Sequence, residues 1–333
     1  MRAAIFQGFH TPLAIQSLAD PEPGAGEVVI QVGRCGICGS DLHMTEDPAF
    51  GKQPGEVLGH EFAGEVVAIG KGVERIAKGD FVSVVPLKSC GTCPTCLAGE
   101  PAWCAEMGLQ GGGYAQYAAT HERQCVILPK SASIADGAIV EPLAVALHGV
   151  MLSGLQAGDK VLVLGAGPIG LAVAYWARRL GAAKVVVQDI ASFQEERALA
   201  MGATGFVADR AEPVVASDRA LGGKADIVFE CVGVPGLIAQ AIEQVRVKGS
   251  IVILGLCTRP DSFVPFVALS KEIRLITSAF FKRQEYEAAL DALDAGSAEP
   301  RLLVTDTISL DQVPDTFEGL RRRTHQCKVL IAP

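Results

Sequence analysis

The segment Val161-Leu162-Val163-Leu164-Gly165-Ala166-Gly167-Pro168-Ile169-Gly170 constrains the fold more than any other stretch of the chain. A short apolar run feeds into glycines spaced G-x-G-x-x-G, and a helix-length segment, Ile169–Leu180, follows. The first glycine permits a tight turn, the second lets backbone approach a pyrophosphate, and the third lets helix pack on strand. The helix start adds free N–H groups and a partial positive charge. Asp189 closes the next β-branched run, Val185–Gln188. There it would accept hydrogen bonds from an adenosine ribose and repel a 2′-phosphate, favouring NAD over NADP. Glycine triplets occur by chance, but the strand before, the helix after and the acidic residue beyond define a dinucleotide site. Its members are Gly165, Gly167, Pro168, Ile169, Gly170 and Asp189.

Further apolar runs, Ile227–Phe229 and Ile251–Leu254, alternate with helix-length stretches such as Gln194–Met201 and Leu237–Val245. That alternation predicts a doubly wound parallel sheet with helices on both faces. Ligands on such sheets lie beyond the carboxyl ends of the strands, so Cys231-Val232-Gly233 and Leu254-Gly255 are further cofactor candidates. Ordinary strand-end glycines are the alternative. Upstream, Glu27–Val32, Gly64–Ile69 and Phe81–Val85 read as short β segments broken by Gly and Pro. The tail after Ser278 holds one amphipathic stretch, Tyr286–Leu293, and a strand-like Cys327–Ile331. It is too short to fold alone and is expected to pack on the first domain. Two domains suit 333 residues. The expected division is an α/β chain with a β-rich domain of residues 1–150 and 278–333 and a cofactor domain of residues 151–277.

Several function classes are disfavoured. The longest apolar stretch, Val161–Ala177, carries Gly165, Gly167, Pro168 and Gly170 at a spacing that suits strand, turn and helix better than a membrane span. The opening MRAAIFQGFH lacks the features of a secretory signal, so a cytoplasmic location is expected. A net charge of −8, with Arg321–Arg323 as the densest basic run, argues against nucleic acid as a partner. Those arginines read as a solvated helix end. Of ten cysteines, Cys90, Cys93, Cys96 and Cys104 crowd into one loop, which points to metal rather than disulfides. Four such thiolates are a preferred closed shell for a structural zinc. An iron–sulfur cluster or a zinc-ribbon nucleic-acid module fits the spacing and the acidic charge less well.

Three other stretches carry chemical side chains: CGICGSDLH from Cys35 to His43, GHEFAG from Gly59 to Gly64, and Val140-Glu141-Pro142. A cysteine alone is usually a small core residue. Together with CGTCPTC, VEPLAVALHG and GAGPIG, in this order and over essentially the whole length, they make the chain resemble the zinc-containing medium-chain dehydrogenases. The resemblance implies a GroES-like catalytic domain and a Rossmann cofactor domain inserted before the C-terminal tail. It also implies hydride transfer between an alcohol and NAD(P), two zinc ions per chain, and a homodimer or homotetramer. Where classical alcohol dehydrogenases place a second cysteine ligand, this chain has Glu141, a pattern similar to the polyol (sorbitol) and threonine dehydrogenase branch. The implied catalytic shell is Cys38, His60 and Glu61, with Glu141 binding directly or through water. Zinc would act as a Lewis acid on the alcohol. Ser40 stands where the family's hydroxyl relay begins, taking the alcohol proton and passing it through the ribose to His43. Asp41 is the candidate acceptor for the distal N–H of His60, or else a turn cap.

Phe50, Trp103, Met107, Leu109, Phe280 and Phe281 are candidate pocket walls, and they would make the pocket apolar. A bulky or hydrophobic secondary alcohol is then expected, with a polyol or a 3-hydroxy amino acid as the alternative. Two other classes compete: a zinc-free reductase of the same superfamily, and an NAD(P)H-binding protein without turnover. Neither a nucleic-acid nor a membrane partner is expected.

Overall fold

The computed structural model describes residues 1–322 and 325–333, so Arg323 of the basic run lies outside the described residues. The chain forms two units. One comprises Met1–Glu141, Lys282–Ser297 and Val304–Pro333; the other comprises Pro142–Phe281 and Ala298–Leu303. The boundaries expected near residues 150 and 278 therefore fall at 142 and 282 instead. The reason is the helix Ile134–Ser153, which runs unbroken through the expected first boundary with Pro142 inside it. Residues 298–303, expected in the catalytic unit, join the second one, where the turn Glu299–Leu303 packs on the helix Pro168–Arg179.

The second unit is built on six parallel strands: β1 (Lys160–Leu164), β2 (Lys184–Gln188), β3 (Gly205–Val207), β4 (Ala225–Glu230), β5 (Val245–Ile253) and β6 (Arg274–Thr277). Their spatial order is β3-β2-β1-β4-β5-β6, the order of a dinucleotide-binding sheet. The central strands are apolar on both faces because helices cover both. Leu162, Leu164, Val186, Val228 and Ile251 pack with Leu221, Ala241 and Ile242 from the helices. The order reverses between β1 and β4, and the glycine turn leaves β1 at that point.

The first unit is a mainly antiparallel sheet. Glu27–Gly36 lies at its centre, flanked by Glu61–Ile69, Tyr117–His121 and Lys328–Ala332. The tail thus pairs with the first domain, Leu330 opposite Gly36 and Ile331 opposite Cys35. The helix Arg283–Asp294 buries Tyr286, Ala289, Leu290 and Leu293, the amphipathic spacing visible in the sequence. Phe6, Ile30, Phe62, Val82, Tyr114, Phe317 and Val329 form the core. One helix, Ile134–Ser153, is long and apolar enough to cross a membrane, but 78% of its apolar window is buried inside the protein.

Candidate active site

Cross-strand register builds the site. His60 and Glu61 open the strand Glu61–Ile69, and Glu61 stands opposite Gly36. A side chain at Gly36 would collide with Glu61 Oε2 at 2.0 Å, so glycine there makes room for the carboxylate. Gly59, at φ +85°, turns the chain into His60 while the Tyr114 ring packs against it. Cys38 caps the helix Gly39–Met44, which carries Ser40, Asp41 and His43.

The ligand-type atoms of Cys38, His60 and Glu61 all lie within 4.8 Å of one another. His60 and Glu61 are buried and Cys38 is half-buried. His60 Nδ1 lies 3.3 Å from Asp41 Oδ1 and has no well-aligned hydrogen-bond partner, leaving Nε2 able to serve as a metal ligand. A carboxylate behind a histidine in this way fixes the ring and raises its basicity. Asp41 in turn accepts the Tyr114 hydroxyl at 2.6 Å and the Cys38 amide at 3.1 Å. Burial alone would push the Asp41 carboxyl up, but His60, the Tyr114 hydroxyl and the Cys38 amide outweigh it and hold its pKa below the ordinary value. Burial opposes a charged His60, yet Asp41 and Cys38 lift its pKa well above the usual imidazole value. A thiolate, an imidazole and a carboxylate converging on one point form a donor set suited to zinc. The residues fit the ion.

Glu61 differs from its expected role in one respect. Lys328 Nζ bonds both of its oxygens at 2.7 Å and also donates to Ile37 O. Burial would lower the Lys328 pKa, but Glu61 holds it above its usual value. The carboxylate therefore enters the cluster already paired with a cation. Glu141 is not part of the 4.8 Å cluster. Its buried carboxyl is pushed up to about 7, first by burial and then through the opposing influences of His60, Glu61, Lys328 and Asp41. Ser40 and His43 are half-buried, one turn apart on their helix.

Cys90, Cys93, Cys96 and Cys104 also converge, each ligand atom within 4.8 Å of the others. The loop folds around sulfur: the Cys93 amide donates to Cys90 Sγ at 3.3 Å and the Cys90 amide to Cys104 Sγ at 3.4 Å. Amides of Thr92 and Cys93 draw the Cys90 thiol down to about 6, toward the thiolate that a metal needs.

The glycine turn is tight and leads straight into a helix. Gly165 sits at φ +101°, and a Cβ on Gly170 would strike Gly165 O at 2.0 Å. Gly167 faces open space, as close approach by a ligand requires, and Pro168 and Ile169 begin the helix. Asp189 accepts the Ala166 amide at 2.7 Å and the Ala191 amide at 2.8 Å, so it also ties the turn to the end of β2. Gly233 and Gly255 are glycines for a local reason: each leaves no room for a Cβ against the other's turn. Cys231 and Val232 follow β4, and Val232 packs on Gly165, whereas the Leu254 side chain lies over Gly149. The candidate walls differ in exposure. Phe281 is 2% exposed and belongs to the core, while Trp103 is 56% exposed on the cysteine loop. Phe50, Met107, Leu109 and Phe280 are half-buried.

Sequence reasoning missed Lys328, Tyr114 and Glu230. A lone lysine in the apolar run Cys327–Ile331 was the available signal for Lys328. Glu230 is buried at the end of β4, where its carboxylate accepts the Val232 and Gly233 amides.

A dinucleotide sheet in one unit and a Cys–His–Glu cluster in the other equip a metal-dependent nicotinamide oxidoreductase. Residues 24–130 match the alcohol dehydrogenase GroES-like domain and residues 168–295 match the zinc-binding dehydrogenase model. The chain is 31% identical to sorbitol dehydrogenase of Bacillus subtilis, over 100% of this chain and 97% of that protein. Two solved structures superpose with a TM-score of 0.91, each covering 100% of this chain and 99% of the other. One is an alcohol dehydrogenase of Escherichia coli CFT073 complexed with NADH, 28% identical. The other is a putative zinc-binding dehydrogenase of Sinorhizobium meliloti 1021 bound to NADP, 33% identical. The chain belongs to the zinc-dependent medium-chain alcohol dehydrogenase family. It is an oxidoreductase that acts on CH–OH groups.

Proposed function

We propose that this enzyme uses NAD to oxidise a secondary hydroxyl of a polyol-type substrate, and reduces the matching ketone in reverse. The Cys38–His60–Glu61 cluster, with Asp41 beside His60, carries the reading. The similarity to sorbitol dehydrogenase supports the substrate class. The apolar-pocket alternative loses Phe281 to the core and Trp103 to the surface of the cysteine loop. Asp189 supports NAD over NADP, because a carboxylate at the end of β2 repels a 2′-phosphate.

Zinc supplies a Lewis acid that makes a hydroxyl proton easier to remove, and NAD supplies the hydride acceptor. Cys38, His60 and Glu61 would hold the ion, with Glu141 near enough to influence their charges. Asp41 keeps the His60 ring oriented. Ser40 would take the substrate proton while releasing its own hydroxyl proton toward His43, half-buried one turn along the same helix, which would give up a proton to water. The four-cysteine loop would hold a second, structural zinc. We place the enzyme in the cytoplasm, where ten cysteines outside any disulfide are at home, and as a homo-oligomer.

Sorbitol, a vicinal diol and a long-chain secondary alcohol should be offered with NAD and NADP, alongside metal analysis. The expected result is turnover of the hydroxylated substrates with NAD and about two zinc ions per chain. Cys38→Ser and His60→Ala should abolish turnover while NADH binding persists. Activity confined to the apolar alcohol would overturn the polyol assignment, and full activity in either variant would overturn the site.

A further inference from the structure

We propose that Arg321 is a positioning residue, its guanidinium holding the helix that carries Ser40, Asp41 and His43 in place against the metal-competent cluster. The proposal rests on the roles just given to those three residues. By sequence Arg321 looks like one end of a solvated basic run, but its side chain is only 20% exposed. Nη1 donates to Glu46 Oε1 at 2.7 Å and to Leu42 O at 3.3 Å. Nη2 donates to Thr45 Oγ1 at 2.8 Å, and Nε to Glu318 Oε2 at 2.8 Å. Leu42, Thr45 and Glu46 lie at the carboxyl end of the helix Gly39–Met44, whose partial negative charge attracts a cation. Six residues make a helix with little stability of its own, so outside ties decide where it sits.

A second route runs through the core. The guanidinium lies 5.4 Å from the Phe317 ring centre, and Phe317 meets Tyr114 edge-on at 6.4 Å. Tyr114 then donates its hydroxyl to Asp41, which stands behind His60. Phe317 and Tyr114 are completely buried, so this column transmits position instead of yielding to it. One cation thus reaches Asp41 twice, through the helix backbone and through the aromatic pair. A lysine cannot reproduce that planar, many-armed contact.

Arg321→Ala should lower kcat roughly tenfold to a hundredfold with a smaller change in alcohol KM, as sub-ångström misplacement of reacting groups does. It should also speed loss of zinc to a chelator by about tenfold, the size of effect seen when groups supporting metal ligands are removed. Arg321→Lys should fall between wild type and Arg321→Ala on both measures. Thr45→Val removes the Nη2 acceptor, together with the hydroxyl's own bond to Leu42 O, and should move both readouts the same way by less, which keeps the test open if Arg321→Ala fails to fold. A lower melting temperature with normal kcat and zinc release would reduce Arg321 to a structural residue and sink the proposal. Full turnover in Cys38→Ser would instead sink the site reading, so the two failures are distinguishable.

Discussion

Lys328 shows how much one side chain can cost and stabilise. Both it and Glu61 are nearly unexposed, and withdrawing two ions from water costs several kcal/mol each. The pair persists because Nζ reaches both carboxylate oxygens and a main-chain carbonyl. Lys328→Met should therefore destabilise the fold by about 3–5 kcal/mol in chemical denaturation, since it strands a buried carboxylate. Adding Glu61→Gln should recover much of that loss; an unchanged denaturation midpoint for Lys328→Met would show that the pair contributes nothing. Asp189 invites a subtler experiment. Its oxygens accept the Ala166 and Ala191 amides, so Asp189→Asn keeps an acceptor but removes the charge proposed to repel a 2′-phosphate. If that reading holds, the proposed preference for NAD over NADP should fall by about tenfold, or ~1.4 kcal/mol, with NADH binding largely kept. A ratio of kcat/KM values that does not move would assign the preference to other residues. Cys38, His60 and Glu61 could be singled out only through the family resemblance that their motifs carry together, since no one motif is decisive alone. Tyr114 carried no such mark, and the pairing of Lys328 with Glu61 emerges only once the strand Lys328–Ala332 lies beside Glu27–Gly36.

The parallel sheet was the most legible element, since continuous β-branched runs bounded by helix-length segments leave few other folds. The helix Ile134–Ser153 was the least legible. It is apolar nearly all round, so no 3.6-residue periodicity marks it, and Pro142 inside it mimics a break. That is also why the domain boundary was expected too late. At the amino end of the sheet, Asp226 on β4 accepts the Lys160 amide of β1 at 2.8 Å and pairs with Arg246 of β5. Partial burial would raise its pKa, but the amide and the guanidinium outweigh it and hold the value below the ordinary one. A depressed folded pKa gives stabilisation that is complete above the unfolded value of about 3.9 and lost as pH falls through the folded one. Asp226→Asn should thus lower the melting temperature near neutral pH, and the gap to wild type should close on acidification below about pH 4. A gap that stays constant down to acid pH would mean that the carboxylate is not preferentially charged in the fold.

Across the whole molecule, large apolar side chains stay exposed at several places among the described residues, and a group of them gathers on one short helix. Val264 is 63% exposed, Phe266 72% and Leu269 74%, all at or on the helix Pro265–Lys271. Leu269 shares a depression with Ile242, Phe263, Ala268, Ile273, Leu275 and the charged Glu272, and Leu275 lies on β6, an edge strand of the parallel sheet. An unpaired edge strand beside exposed large side chains is a surface that proteins ordinarily cover. A second copy is the occupant that completes it most simply, because a two-fold axis would bring β6 against β6 and bury both helices at once. The homo-oligomer proposed for this enzyme would form at least in part through this face. Phe266→Glu with Leu269→Glu should then shift the mass measured by light scattering toward the monomer, while each chain keeps its zinc and its NADH binding. A wild-type enzyme that sediments as a monomer at micromolar concentration, or a doubly charged variant of unchanged mass, would rule this interface out.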